Sequence, residues 1–148
     1  MTGAQADWQA LERCTLGNRE AIEFLQLWRK YVHDIDDIID GDRTEAEFVL
    51  ATFASAAALY SHPFYLKNIA ALRAVVFNVT NGYADSVAWE HSDKPWQREF
   101  ADHYRHAGAE MALAVAGICG GYDHMRSLSL ELRIACYTAH HTAEGKAC

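Results

Sequence analysis

The sequence predicts an all-α fold, a single-domain antiparallel helical bundle of about five helices. Its 148 residues include only two prolines and nine glycines, too few for the many turns of a β-sandwich. Hydrophobic residues make up 51% of the chain and charged residues 22%, which is enough apolar material for a buried core. The length suits one domain over residues 1–148, of which 1–17 are expected to be loosely ordered.

Capping residues and helix breakers define where the predicted helices begin and end. Asn18 is a good N-cap, Gly41 a good stop, and Thr44 a good cap for the second helix. Pro63 and Pro95 suit the first turns of later helices, because proline needs no hydrogen-bond partner there. The five helices are predicted over residues 19–40, 44–60, 64–90, 95–120 and 122–140.

Two stretches near the C-terminus allow more than one interpretation. Residues 127–134, SLSLELRI, alternate like a strand, but the same region also fits helical spacing. A helix is preferred because a lone strand would have no pairing partner. The small residues of 108–121, GAEMALAVAGICGG, let helices approach closely, either inside the bundle or between subunits.

Charge and composition exclude some classes of partner. A formal net charge of −7 would repel a nucleic-acid backbone, so no nucleic-acid binding is expected. The sequence has neither a signal-peptide pattern nor an apolar run that could span a membrane. The four cysteines are scattered without a CxxC pair, which favours reduced thiols and a cytoplasmic location.

The first predicted helix ends in an unusual acidic cluster. Asp36-Asp37-Ile38-Ile39-Asp40 is a DDxxD motif, and His33 precedes it by one turn. On a helical wheel these four polar residues share the face opposite an apolar stripe. The simpler interpretation is therefore a solvated helix face.

Electrostatics favours a second interpretation of this cluster. Like charges at these spacings repel each other, and the C-terminal end of a helix dipole disfavours anions. A divalent cation would relieve both effects, and Mg²⁺ prefers carboxylate oxygens and shares substrate phosphates. Asp36, Asp37 and Asp40 are therefore candidate magnesium ligands.

A polar stripe also runs along the third predicted helix, which is otherwise apolar. Asn78, Asn81 and Asp85 occur at positions i, i+3 and i+7, on one side of that helix. They could bond to each other and to neighbouring helix ends. Alternatively, Asn81 and Asp85 would complete a metal site across a cleft, with Asn78, Lys67 and Arg73 as candidate substrate-binding residues.

These two stretches together resemble the class I isoprenoid (terpenoid) synthases. In that family a first Asp-rich motif binds magnesium ions that hold a substrate's diphosphate, and a second Asp- or Asn-based motif on an opposing helix binds another. The resemblance implies that Asp36, Asp37 and Asp40 form the first motif and Asn81 and Asp85 part of the second. This chain departs from the pattern at the second motif's last carboxylate, where Trp89 stands. The implied function is magnesium-dependent binding of an isoprenyl-type diphosphate, with turnover left open.

Two other functions compete with this interpretation. Glu20-x-x-Glu23 followed by Asp34-x-x-Asp37 is similar to the acidic motifs of all-α nucleotide pyrophosphatases, although both halves lie on one helix here. The non-enzymatic alternative is a helical oligomerisation or adaptor protein with a solvated acidic helix. A homodimer or higher homo-oligomer is expected in either case. A further stripe, Glu99, His103, His106 and Glu110, is interpreted as a solvated face.

Overall fold

The computed structural model describes residues 3–105 and 108–143, with side chains placed for 9–105 and 108–135. Over these residues the chain is helical and contains no strand, which confirms the all-α class. None of the described helices combines the length and the apolar character needed to cross a membrane. Seven helices are described: α1 Gly3–Thr15, α2 Arg19–Ile39, α3 Ala46–Tyr60, α4 Pro63–Lys67, α5 Ile69–Trp89, α6 Pro95–Arg105 and α7 Gly108–Ala143.

The chain divides into two compact units, Met1–Ile69 and Ala70–Cys148. The first contains α1 to α4, and the second contains nearly all of α5 together with α6 and α7. The organisation of residues 1–148 as a single domain stays a prediction. Helix α1 was not expected, and its last turn buries Cys14 and Thr15.

Helix α2 begins and ends where local chemistry predicts. The side chain of Asn18 accepts a hydrogen bond from the Ala21 amide at 3.2 Å and caps the first turn. At the other end Gly41 has a φ of +79°, the left-handed conformation that favours glycine after a helix. The Asp37 carbonyl then accepts from the Asp42 and Arg43 amides at 2.9 and 3.1 Å, which closes the turn.

Helix α3 begins one residue later than a cap at Thr44 predicts. The N-cap is Glu45, whose side chain makes no capping bond, and not Thr44. The closing turn of α2 extends to the Arg43 amide, so Thr44 lies in the connection between the helices. Arg43 also packs over the Phe48 ring, with 3.8 Å between the guanidinium carbon and the ring centroid.

The long third helix that was predicted over 64–90 is interrupted at Asn68, which separates α4 from α5. Asn68 has φ −118° and ψ 20°, outside the helical region. Its side-chain amide donates to the Phe64 carbonyl at 2.8 Å, the acceptor that a continuing helix would use for the Asn68 backbone amide. The side chain therefore competes with the backbone and stops the helix.

Aromatic side chains fill the core of the first unit. Phe24 of α2 is fully buried and packs against two rings of α4, with its centroid 5.6 Å from that of Phe64 and 6.0 Å from that of Tyr65. Tyr60 continues the cluster, with its ring 5.3 Å from that of Tyr65. Helix α2 thus contacts α1, α3 and α4, and it is the central element of this unit.

The second unit is organised by a reversal within α7. Gly121 has φ 80° and ψ −179°, which breaks the helix into arms over 108–120 and 122–143. This break confirms the boundary predicted there, and residues 127–134 are helical. One helix was predicted over 95–120. Residues 106–107, which join α6 to α7, lie outside the described ranges, so the prediction that the helix continues through them stays a prediction.

The two arms of α7 lie side by side. Glu110 of the first arm pairs with Arg133 of the second, with 2.7 Å between Oε1 and Nη2. Nearer the reversal, a Cβ placed on Gly117 would meet the Met125 sulfur at 3.5 Å. Gly117, one of the small residues of 108–121, thus lies at the contact between the two arms. A separate ion pair, Arg105 to Glu90 at 2.5 Å, joins α6 to the residue that follows α5.

Candidate functional site

The described part of the second unit contains an open groove of about 750 Å³. Clefts that bind small molecules are usually about 300–1,000 Å³, so the groove has the size of a ligand site. Helices α5 and α6 and both arms of α7 contribute to it. Its lining consists of Val75, Asn78, Val79, His103, Tyr104, Ala109, Glu110, Leu113, Ala114, Tyr122, Met125, Arg126, Ser129, Arg133 and Ile134.

The groove combines an apolar wall with a small set of polar groups. Most of its surface is apolar, and Val75, Leu113 and Met125 contribute to it. The charged side chains in the lining are Glu110, Arg126 and Arg133. Such a site can hold an apolar body by burial and orient it through a polar end.

A close helix contact fixes one wall of the groove. Gly82 of α5 is buried, and a Cβ at this position would lie 2.9 Å from Cδ1 of the Tyr104 ring. Only glycine permits this approach without displacement of the ring. Because Tyr104 lines the groove, the absence of a side chain at Gly82 determines the position of the Tyr104 ring in the groove wall.

The three candidate magnesium ligands of α2 lie in the first unit. Asp36 and Asp37 are half-buried, and Asp40 is exposed at the C-cap. Within the described residues, no group of three or more His, Cys, Asp or Glu side chains is arranged to hold a metal ion. The placed side chains therefore do not form a magnesium cage, and magnesium binding by this cluster stays a prediction.

A neighbouring aspartate, Asp34, is buried instead of solvated. It pairs with Lys30 one turn earlier on α2. This ion pair compensates a carboxylate that would otherwise be costly to bury. By contrast Ile39, at the end of the same helix, is 45% exposed although it is apolar.

Lys67, a candidate for substrate binding, is engaged with a carboxylate of α2. Its ammonium lies 2.7 and 3.0 Å from the two carboxylate oxygens of Glu20. Glu23, one turn further on, is 3.9 Å from Nε2 of His62. The Nδ1 atom of His62 in turn accepts from the Phe64 amide at 3.3 Å and caps α4.

The other predicted site residues lie on α5, in the second unit. Asn78 lines the groove, and it is the one predicted site residue in that lining. Arg73, Asn78 and Asn81 are exposed and Asp85 is half-buried, so this polar stripe is not an internal one. The expectation that Asn81 and Asp85 complete a metal site with the aspartates of α2 stays a prediction.

Sequence reasoning missed the arginines of the groove, although a signal was present. Tyr122, Arg126, Ser129 and Arg133 occur at i, i+4, i+7 and i+11, which places them on one helix face. Because residues 127–134 also alternate like a strand, this spacing was not singled out. His103 and Glu110, interpreted as part of a solvated stripe, also line the groove.

Comparisons with protein-family models, with curated proteins and with solved structures found no match to this chain.

Proposed function

We propose that this chain binds a small molecule with an apolar body and an anionic head in the groove of the second unit. The observation that carries the proposal is the groove itself, with its apolar wall and its two arginines. An isoprenyl-type diphosphate, the ligand implied by the resemblance to class I isoprenoid synthases, has this chemistry. The proposed activity is binding.

Burial energetics favour an apolar chain over a nucleotide as the ligand. Each buried CH₂ group of a ligand contributes about 0.8 kcal/mol to binding. A nucleotide base would instead need specific polar partners, and most side chains along the groove are apolar. The groove therefore favours an isoprenyl or alkyl chain.

The proposal does not depend on a metal ion. In the resembled family, magnesium would supply the positive charge that holds a diphosphate. Here the arginines of the groove provide positive charge from the chain itself. Binding in the presence of a chelator is therefore expected, and magnesium at Asp36, Asp37 and Asp40 is a separate question.

Calorimetry on the full chain tests the proposal, with farnesyl diphosphate, farnesol and ATP as ligands. Each titration is made with a chelator and again with magnesium. Farnesyl diphosphate is expected to bind in both conditions, with ATP about tenfold weaker or worse. Tighter binding of ATP would instead support the nucleotide pyrophosphatase alternative.

A pair of matched variants locates the binding site. Ala114→Phe places a large ring in the groove, and it is expected to abolish farnesyl diphosphate binding. Ala84→Phe adds the same ring at an exposed position of α5 outside the lining, and it is expected to leave binding unchanged. Equal affinities for both variants, with folding checked by circular dichroism, would exclude the groove.

The pyrophosphatase alternative receives less support from the geometry of its acidic residues. Glu20 pairs with Lys67, and Asp34 pairs with Lys30. Glu23 lies beside His62. A metal ion would have to displace these partners before the carboxylates could bind it.

The oligomerisation or adaptor alternative is favoured by a different observation, the exposed apolar side chains of α3. Leu50 is 67% exposed and Phe53 is 70% exposed, one turn apart on this helix. Exposed apolar side chains at helical spacing are typical of association surfaces. Light scattering on the full chain tests this: a dimer that becomes a monomer in Leu50→Gln plus Phe53→Gln would support it.

A further inference from the structure

The second arm of α7 contributes a row of polar side chains to the groove, beside the apolar Met125 and Ile134. Tyr122, Arg126, Ser129 and Arg133 all line it, and their spacing places them along one side of the helix. The two guanidinium groups are two turns apart on this face. A ligand lying along the arm would therefore pass both of them.

The charge of the groove differs in sign from that of the chain. The formal net charge of the protein is −7, whereas the lining carries two arginines and one glutamate. A locally cationic cleft in an acidic protein attracts anions and repels cations. The polar end of the ligand is therefore expected to be an oxyanion, either a carboxylate or a phosphate.

Part of this positive charge is already neutralised within the chain. The carboxylate of Glu110 lies 2.7 Å from Nη2 of Arg133, and the two side chains are 47% and 45% exposed. Ion pairs this exposed add little to stability, because water and salt screen them. Glu110 also lies in the first turn of α7, where the helix dipole favours a negative charge with or without a partner.

We propose that Glu110 occupies the place of the ligand's anionic head on Arg133, and that the head displaces it when the ligand binds. This inference rests on the proposed function of the groove. The guanidinium fork of Arg133 matches the paired oxygens of a carboxylate or phosphate as well as it matches Glu110. Arg126 supplies a second positive charge along the same face. Glu110 thus lowers the affinity of the groove for anionic ligands.

Charge-removing variants with matched controls test this competition. Glu110→Gln removes the competitor, and it is expected to tighten farnesyl diphosphate binding by about three- to tenfold without changing farnesol binding. Glu131→Gln alters the net charge equally at an exposed position on the other arm, outside the lining. It is expected to change neither affinity by more than a small factor.

Arg133→Gln is expected to weaken farnesyl diphosphate binding about tenfold, again with little effect on farnesol. If this variant loses its helical circular dichroism signal, Arg133→Lys is tested instead. Lysine keeps the positive charge but lacks the planar guanidinium group that donates two parallel hydrogen bonds. Dodecanoate serves as a carboxylate probe beside farnesyl diphosphate. Whichever probe gains more from Glu110→Gln identifies the class of head group.

The outcomes separate this inference from the proposed function. If both farnesyl ligands bind but Glu110→Gln changes the diphosphate no more than Glu131→Gln does, the inference fails and the groove proposal stands. An equal gain for farnesol and farnesyl diphosphate would also overturn it, because that gain would reflect a wider groove. If neither ligand binds the folded wild-type chain, both proposals fail.

Discussion

The ammonium of Lys67 lies 2.7 Å from one carboxylate oxygen of Glu20 and 3.0 Å from the other. The pair joins the short helix α4 to the first turn of α2, where the helix dipole also favours the glutamate. Lys67 was expected to meet substrate phosphate. In the structure its charge is satisfied within the first unit.

We expect Lys67→Met to lower the free energy of unfolding by less than about 1 kcal/mol, because both side chains are well exposed. Urea denaturation at low and at high salt measures this, and the difference from the wild type should shrink as salt screens the pair. Farnesyl diphosphate affinity should not change. A loss of that affinity would restore Lys67 as a ligand-binding residue.

Gly82→Ala is expected to destabilise the protein by about 1–3 kcal/mol and to weaken ligand binding in the groove. The new Cβ would lie 2.9 Å from Tyr104, so the ring must move. Gly117→Ala is the matched control, because its Cβ would meet Met125 at an ordinary 3.5 Å. There the better helix propensity of alanine should leave stability equal or higher. Thermal unfolding that ranks the two variants in the opposite order would contradict this packing.

The Tyr60 hydroxyl makes stability depend on alkaline pH. Burial, and then the neighbouring Tyr31 and Tyr65, raise the pKa of Tyr60 to about 12 from an ordinary value of 10.0. The folded state thus favours the neutral phenol, so this contribution is complete below pH 10 and is lost as the pH rises towards 12.

Tyr60→Phe should therefore unfold less readily than the wild type as the pH rises through this range. Urea denaturation at neutral and alkaline pH gives the comparison, and the difference in tyrosinate absorbance between the folded wild type and Tyr60→Phe gives the pKa of Tyr60. Parallel loss of stability in both proteins would assign the alkaline effect to other groups.

Local signals predicted both ends of α2 and the break at Gly121, because a cap or a glycine acts within a few residues. The Asn18 side chain caps α2 by accepting a hydrogen bond from the Ala21 amide. Gly41 and Gly121 adopt the positive φ at which a helix ends or breaks. At Asn68 local information was insufficient. An asparagine can continue a helix, or its side-chain amide can bond to the carbonyl four residues back and end the helix. The amino-acid composition of the segment does not decide between these two outcomes.

The groove could not be predicted in the same way, because tertiary packing creates it. It depends on the two arms of α7 lying together beside α5 and α6. The hydrophobic periodicity of each helix does not specify how the helices pack against one another. The wheel for α2 likewise identified a polar face but not the burial of Asp34, which depends on its pairing with Lys30. Asn78 was predicted to lie on a polar stripe of its helix, and the packing of α7 makes this residue border the groove.

Magnesium is expected to stabilise the protein through the aspartates at the end of α2. The last turn of this helix contains no basic residue, so the negative end of the dipole and the acidic cluster add to each other. A cation that relieves this repulsion must stabilise the fold by linkage. We expect a melting temperature higher by about 3–6 °C, if the dissociation constant is about one tenth of the magnesium concentration.

Two double variants separate specific magnesium binding from general screening. Asp36→Asn plus Asp40→Asn removes candidate ligands and should abolish the shift, and its metal-free form should be at least as stable as the wild type, since the repulsion is gone. Glu45→Gln plus Glu47→Gln removes the same charge from exposed positions at the N-terminal end of α3 and should keep the shift. Thermal scans of all three proteins with and without magnesium decide the matter. Equal shifts in all three would mean that the aspartates hold no specific ion and that the DDxxD motif is a solvated helix end.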